Sequence, residues 1–307
     1  MSNEITFSAL SSTGGRISAV LSALVQEALY DATDLTASVL MVPWQSMGSD
    51  TLQITRDATP GAFTAATNET TWGGSNAAYT TSKFSLQVAP YRRVYQVSDL
   101  FDISGGPIDT QMVVNNLVEG VALTATDLIC ALFSSISTSK GSTGAALTVD
   151  TIYEAAAALN LAANSGPLYC VLHPKAMNDF IAALSAEGGA MQYQPSTAEL
   201  LGSNPKPGFK GTWNNIEFWQ SDSVGKINSN ADYSCAMYTK GAFAMTMAPV
   251  SAIQATVPSQ NILLDAGSVL VESSRDARNG LSSLVAHMYP AVVEADGARA
   301  VEIVVGV

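Results

Sequence analysis

Phe84-Ser85-Leu86-Gln87-Val88-Ala89-Pro90-Tyr91-Arg92-Arg93-Val94-Tyr95-Gln96-Val97-Ser98-Asp99-Leu100 is the stretch on which the reading of the fold turns. Phe84, Leu86 and Val88 alternate with Ser85 and Gln87, the period-two signature of a half-buried strand. Tyr91, Val94, Tyr95 and Val97 mark a second strand, and Ser98-Asp99 caps a short helical turn. Upstream, Leu52-Gln53-Ile54-Thr55 alternates in the same way. Between Thr55 and Phe84 lie Pro60-Gly61, a Thr-rich run to Thr71 and Trp72-Gly73-Gly74-Ser75-Asn76, all turn-formers without a core period. The segment reads as a long two-stranded excursion with a turn-rich tip. A lone hairpin of this kind is marginal in water, so it needs a surface to lie on.

Further toward the N-terminus, Ser11-Ser12-Thr13 offers N-caps for a helix from about Arg16 to Asp34. Its apolar stripe is Ile17, Val20, Leu21, Leu24, Val25 and Leu29, followed by an extended Val39 to Val42. On the other side, Gly105-Gly106-Pro107 precedes the longest predicted helix, about Asp109 to Ser137, closed by Lys140-Gly141. Val113, Leu117, Val121, Ala125, Leu128, Leu132 and Ile136 form one continuous stripe along it. An alanine-rich helix from Asp150 to about Asn164, the apolar strand Leu168–Leu172, and a helix from Lys175 to Ala186 follow. In that last helix Met177, Phe180, Ile181 and Leu184 are expected to face inward. This order predicts a mixed α/β lobe.

Residues Glu187 to Gly211 read as a Gly/Pro/Gln/Asn-rich loop with a helical turn at Thr197 to Leu201. Strands are expected at Ile216–Trp219, Ala236–Tyr238, Phe243–Met247, Ile253–Val257, Val269–Glu272, Ser283–Met288 and Val301–Val305.

Composition narrows the function. The 307 residues are 47% hydrophobic, enough for a full core, yet only 13% charged. That is about half the charged fraction of an ordinary soluble domain, and a surface so poor in charge is either unusually neutral or covered by other chains. The net charge of −12 and 14 scattered basic residues argue against a protein built to grip phosphate backbones. No segment reaches the ~18 uninterrupted apolar residues of a membrane span. The N-terminus Met1-Ser2-Asn3-Glu4 has no basic or apolar signal region. Cys130, Cys170 and Cys235 lie far apart in apolar contexts without a CxxC, and read as buried thiols in a reducing compartment.

Catalytic patterns are thin. His173 follows a buried strand and precedes Pro174, with no G-x-S-x-G elbow to supply a nucleophile. His173 and His287 do not have metal-ligand spacing. Gly141-Ser142-Thr143-Gly144 lacks the Gly-Lys-Ser/Thr ending of a phosphate loop. No catalytic residue, cofactor or metal is expected, and a hydrolase reading has no site chemistry behind it. Trp72, at the hairpin tip, reads better as an anchor for a protein contact than as a ligand platform.

The order of arm helix, hairpin excursion, strand ending in Val97-Ser98-Asp99-Leu100, spine helix, α/β lobe and returning strands resembles the major capsid proteins of tailed bacteriophages. Those proteins have the α+β Hong Kong 97-type fold. A second match is Pro167-Leu168-Tyr169-Cys170-Val171-Leu172-His173-Pro174-Lys175-Ala176, which resembles the family's A-domain strand and the helix after it. The resemblance implies an N-terminal arm over 1–50, an E-loop over 51–97, a peripheral P-domain over 98–148 with 250–307, and an axial A-domain over 149–249. It implies hexamers and pentamers closing an icosahedral shell, with Trp72, Gly73, Gly74, Tyr79 and Lys83 of the E-loop in contact with a neighbouring subunit. Gln192, Tyr193, Gln194, Pro195 and Lys206 would lie on the loop at the capsomer centre. Implied partners are further copies of the chain, a separate scaffolding protein, a portal, and double-stranded DNA packaged without sequence-specific binding. The implied location is the virion capsid, with the host cytoplasm during assembly. Some relatives cross-link an E-loop lysine to a P-domain asparagine. Lys83 is the one lysine of this E-loop, Asn261 and Asn279 are the available acceptors, and non-covalent shells are expected. The same fold also builds encapsulin-like nanocompartments around cargo enzymes, the alternative reading.

Overall fold

The computed structural model describes residues 34–45, 49–57, 81–98, 110–161, 166–186, 194–195, 208–250, 262–265 and 268–307. The arm helix expected over Arg16–Asp34, the helical turns at Ser98-Asp99 and Thr197–Leu201, and the strand at Ile253–Val257 lie outside the described residues, save for Asp34 and Ser98 themselves. A short helix α1 (Asp34–Ala37) leads into strand β1 (Leu40–Met41). The hairpin strands are β2 (Thr51–Asp57) and β3 (Thr81–Gln87), and β4 (Tyr91–Ser98) follows. The long helix α2 (Thr110–Ala131) stops earlier than its stripe predicts, in a 3-10 turn at Phe133–Ser135. Its expected Lys140-Gly141 stop is instead strand β5 (Ser139–Gly141).

The α/β lobe comprises α3 (Val149–Leu161), β6 (Leu168–Leu172), α4 (Pro174–Ala186), β7 (Gln194–Pro195), β8 (Phe209–Trp213), β9 (Ile216–Gln220), β10 (Lys226–Ile227) and β11 (Asp232–Thr239). Strands β12 (Phe243–Met247), β13 (Ile262–Asp265), β14 (Val269–Asp276), β15 (Leu281–Met288), β16 (Pro290–Glu294) and β17 (Ala300–Gly306) complete the chain. The expected loop over Glu187–Gly211 thus contains β7 and the start of β8. Asn214 and Asn215, at φ 49° and 63°, make the two-residue turn joining β8 to β9.

The large sheet runs β5-β17-β11-β6-β9-β8-β7, with β10 paired to β11. Strand β11 lies near its middle, antiparallel to both β17 and β6, and all eight of its residues are buried. Such a strand reads as a continuous run because both of its faces are covered. One face meets α3 and α4 through Ile152, Ala155 and Leu159 and through Met177, Phe180 and Leu184. Phe180 stacks on Phe218 at 4.7 Å between ring centres. Ile181, expected inward, is 43% exposed: it sits at the edge of the stripe set by Met177, Phe180 and Leu184, on the solvent side of α4. The other face meets the end of the long helix, where Phe133 lies 6.0 Å from both Tyr238 and Phe243.

The final strand β17 is inserted between β11 and β5 in this large sheet. The C-terminal segment is therefore shared among sheets. Strands β13, β14 and β15 join β4 in a four-stranded sheet in the order β13-β14-β15-β4, and β16 joins β12 and β1 in a three-stranded one. The Ala-Val-Glu-Ile-Val-Val-Gly pattern of β17 demands burial on both sides, which its place between β11 and the edge strand β5 provides. Its one acid, Glu302, is buried and accepts a 2.5 Å bond from Ser234 Oγ. Gly141 makes the β5–β17 contact feasible: it sits at φ +90°, and a Cβ there would lie 2.3 Å from the Val304 carbonyl oxygen.

Candidate assembly interface

The hairpin stem is in the register its alternation requires, with Leu52 opposite Leu86 and Ile54 opposite Phe84. One face is therefore apolar. Leu86 is fully buried with Ala244 and Ala291, and Leu52, Ile54, Phe84, Val88, Val42 and Val293 pack around them. The surface that this marginal hairpin needs is thus supplied at its base by β12 and β16 of the same chain.

A polar clamp holds the same junction. Arg56 of β2 pairs with Asp296, which follows β16, and also donates to the Ala295 carbonyl at 3.4 Å. Asp296 accepts from Arg299 Nε at 2.9 Å and from the Ala298 N–H at 3.2 Å, capping the 3-10 turn Gly297–Arg299. Burial pushes the Asp296 carboxyl up, but the bond and charge of Arg56, with the Ala298 and Arg299 donors, outweigh it and hold the group below its ordinary value. Sequence reasoning missed this clamp, because 240 positions separate Arg56 from Asp296 and no local pattern links them.

Lys83, on the returning strand opposite Thr55, is exposed. Trp72, Gly73, Gly74 and Tyr79 lie outside the described residues, as do Gln192, Tyr193 and Lys206. Gln194 and Pro195 form β7, the last strand in the order of the large sheet, paired with Thr212 and Gly211. Asn261 lies outside the described residues. Asn279 donates from Nδ2 to Asp276 at 2.7 Å in the turn between β14 and β15.

The histidines are held in structural contacts. His173 Nδ1 accepts from the Lys175 N–H at 3.2 Å at the start of α4, and its ring stacks 3.7 Å from that of Tyr233. Burial and then the Lys226 cation push its pKa down. His287 bonds Glu272 through Nε2 at 2.8 Å, on the separate four-stranded sheet. All three cysteines are buried. Burial pushes the Cys130 and Cys235 thiols up to about 12 and that of Cys170 well above its ordinary value, so none is a ready nucleophile. Among the described residues no group of three or more His, Cys, Asp or Glu side chains is placed to hold a metal, and no helix is long and apolar enough to cross a membrane.

No protein-family model matches this sequence, and no curated protein matches it. Solved structures do match along nearly the whole chain. The capsid of Ralstonia phage GP4 is similar at a TM-score of 0.65 and 9% identity, over 88% of this chain and 90% of that one. The capsid structure of the cyanophage P-SCSP1u is similar at 0.63 and 12%, over 89% and 88%. The SrpI encapsulin complex from Synechococcus elongatus is similar at 0.57 and 15%, over 88% and 85%. The fold is the α+β Hong Kong 97-type capsid fold, as the order of elements in the sequence implied.

Proposed function

We propose that this chain is the major capsid protein of a tailed bacteriophage, whose copies assemble as hexamers and pentamers into an icosahedral shell around double-stranded DNA. The observation that carries the reading is the likeness to phage capsids over about nine-tenths of both chains, with little of either left for another activity. The stem supports it. A hairpin anchored at its base by Leu86 and the Arg56–Asp296 clamp can present residues 58–80 to a neighbour without help from that neighbour in folding. The low charged fraction of the whole chain suits a subunit covered on several sides.

On this reading Trp72, Gly73, Gly74, Tyr79 and Lys83 contact the adjacent subunit, and Gln192 to Pro195 with Lys206 surround the capsomer axis. Residues 1–50 act as the arm, 51–97 as the E-loop, and the remainder as P- and A-domains. A scaffolding protein and a portal act during assembly in the host cytoplasm. The role is structural, with no catalytic step.

The likeness to an encapsulin favours a second reading, a shell around cargo protein. Negative-stain microscopy and light scattering of the purified chain, with and without co-expressed neighbouring genes, test both readings. Closed shells holding nuclease-resistant DNA support the first, and shells holding protein without DNA support the second. A protein that stays monomeric under every condition refutes both.

A further inference from the structure

Helix α4 is capped by a titratable group. Its first residue, Pro174, has no N–H to leave unpaired. The first helical bond runs from the Met177 N–H to the His173 carbonyl at 3.0 Å, which makes His173 the N-cap. Ser, Thr, Asp or Asn ordinarily fills that place, because the capping side chain must accept a bond from one of the first helical N–H groups. Here the acceptor is an imidazole: His173 Nδ1 takes the Lys175 N–H at 3.2 Å. That bond needs the neutral ring with its proton on Nε2, since an imidazolium carries a donor on both nitrogens and has no acceptor. The ring stacks on Tyr233 with 3.7 Å between centres and 12° between planes, and the His173 backbone N–H lies 3.5 Å from Cys235 Sγ. Both contacts come from β11, and they hold the ring in the capping orientation.

The charges around this ring are mostly of the sign it would acquire. Lys226 of β10 lies over the same Tyr233 ring, with Nζ 5.3 Å from its centre. Lys175 of α4 is tied by Nζ to Asp179 and to the Gly306 carbonyl of β17, both at 2.9 Å. Asp222, between β9 and β10, supplies the opposing negative charge, and stacking on Tyr233 also favours a cation. The Cys235 thiol, pushed up to about 12 by burial, stays neutral. Burial first, then Lys226 and Lys175, outweigh Asp222 and hold the ring below the ordinary histidine value. The positive end of the 13-residue helix acts in the same direction. We propose that His173 is a pH-sensitive cap: protonation of its ring withdraws the acceptor from the Lys175 N–H and sets a cation against the helix dipole and Lys226, loosening the first turn of α4 while the sheet beneath it stays in place. The folded-state value lies below the unfolded one, so the cap's contribution is complete above about pH 6.5 and is lost as pH falls through the folded value.

Hydrogen exchange of the full-length protein tests this, expressed as protection factors so that the pH dependence of exchange chemistry itself is divided out. From about pH 7.5 to about pH 5 Asp and Glu side chains stay ionised, so the Arg56–Asp296 clamp does not titrate. Across that range the first turn of α4, Lys175 to Asn178, should lose protection about fivefold or more, the loss expected of a missing N-cap. Strand β11 should keep its protection throughout. His173→Asn supplies a cap that does not titrate, and its α4 protection should stay level over the whole range. His173→Ala should be weakly protected at both ends of it. Lys226→Gln should move the wild-type midpoint to higher pH, and Asp222→Asn should move it lower. Level protection in the wild type, or the same acid loss in His173→Asn, would overturn the proposal. So would a neutral His173 ring with its proton on Nδ1 in a long-range proton–nitrogen NMR spectrum of the wild type, because that tautomer cannot accept the Lys175 N–H.

Discussion

Leu86→Ala should release the hairpin stem while leaving the α/β lobe intact. Leu86 is fully buried, and the partners it shares that cluster with, Ala244 and Ala291, are too small to fill the space it would vacate. Removing three carbons at about 0.8 kcal/mol each costs about 2.4 kcal/mol. A cavity that cannot collapse raises this to about 3–4 kcal/mol. The loss falls on docking rather than on the whole fold, because a two-stranded ribbon detached from β12 and β16 has little stability of its own. At about 1.4 kcal/mol per factor of ten, backbone amides of β2 and β3 should exchange with deuterium about a hundredfold faster or more. Amides of β11, buried throughout the large sheet, should keep their wild-type rates. Mass-spectrometric hydrogen exchange on the two proteins at one pH measures both. If β11 accelerates equally, the stem is part of the global core. If β2 and β3 do not accelerate, the stem is held by something other than this apolar face. Either result would refute the docking argument.

The Arg56–Asp296 clamp should add a pH signature to the same junction. Asp296 is held below its unfolded value, so its contribution is complete above about pH 4 and disappears as pH falls through the folded value. Asp296→Asn should cost about 1.5–3 kcal/mol at neutral pH and flatten the acid limb of stem exchange; an unchanged acid limb would show that the clamp contributes nothing. Gly141→Ala forces a Cβ against the Val304 carbonyl at a positive φ, so the denaturation midpoint should drop by the equivalent of more than ~1 kcal/mol. Tyr238→Phe removes only the bond to Ser38, and urea titration should register a loss of about 1 kcal/mol. Assembled shells boiled in SDS should run as a single band near 32.0 kDa; a covalent ladder that vanishes in Lys83→Ala would contradict this.

Much of the local structure was legible because it is periodic. Alternation in Leu52–Thr55 and Phe84–Val88 determined two strands and which side chains share a face. The 3.6-residue period picked out Met177, Phe180 and Leu184 as the buried side of α4, and erred at Ile181 because a position at the edge of a stripe is decided by the depth of the groove it meets. The Asn214-Asn215 pair is a turn signal in the sequence, and the strand before it escapes the pattern because the loop expected over Glu187–Gly211 covers its first three residues. Of the residues proposed for the interface, Lys83 lies at an exposed strand position and Gln194 and Pro195 form β7, while the roles of all of them stand on the family resemblance.

What the sequence determined by itself is which faces are apolar, and therefore which faces must be covered. What covers them was decided only in three dimensions. The apolar side of the hairpin could have lain on any sheet, of this chain or another, and it is β12 and β16 that receive it at the base. The apolar run of β17 could have returned beside the long helix, and instead it completes the large sheet between β11 and β5. Burial free energy depends on area and not on the identity of the partner, so a pattern read along the chain states the need for a contact without naming it. Backbone register, the φ of Gly141 and a clamp between Arg56 and Asp296 supply the missing choice, and each exists only once distant segments have met.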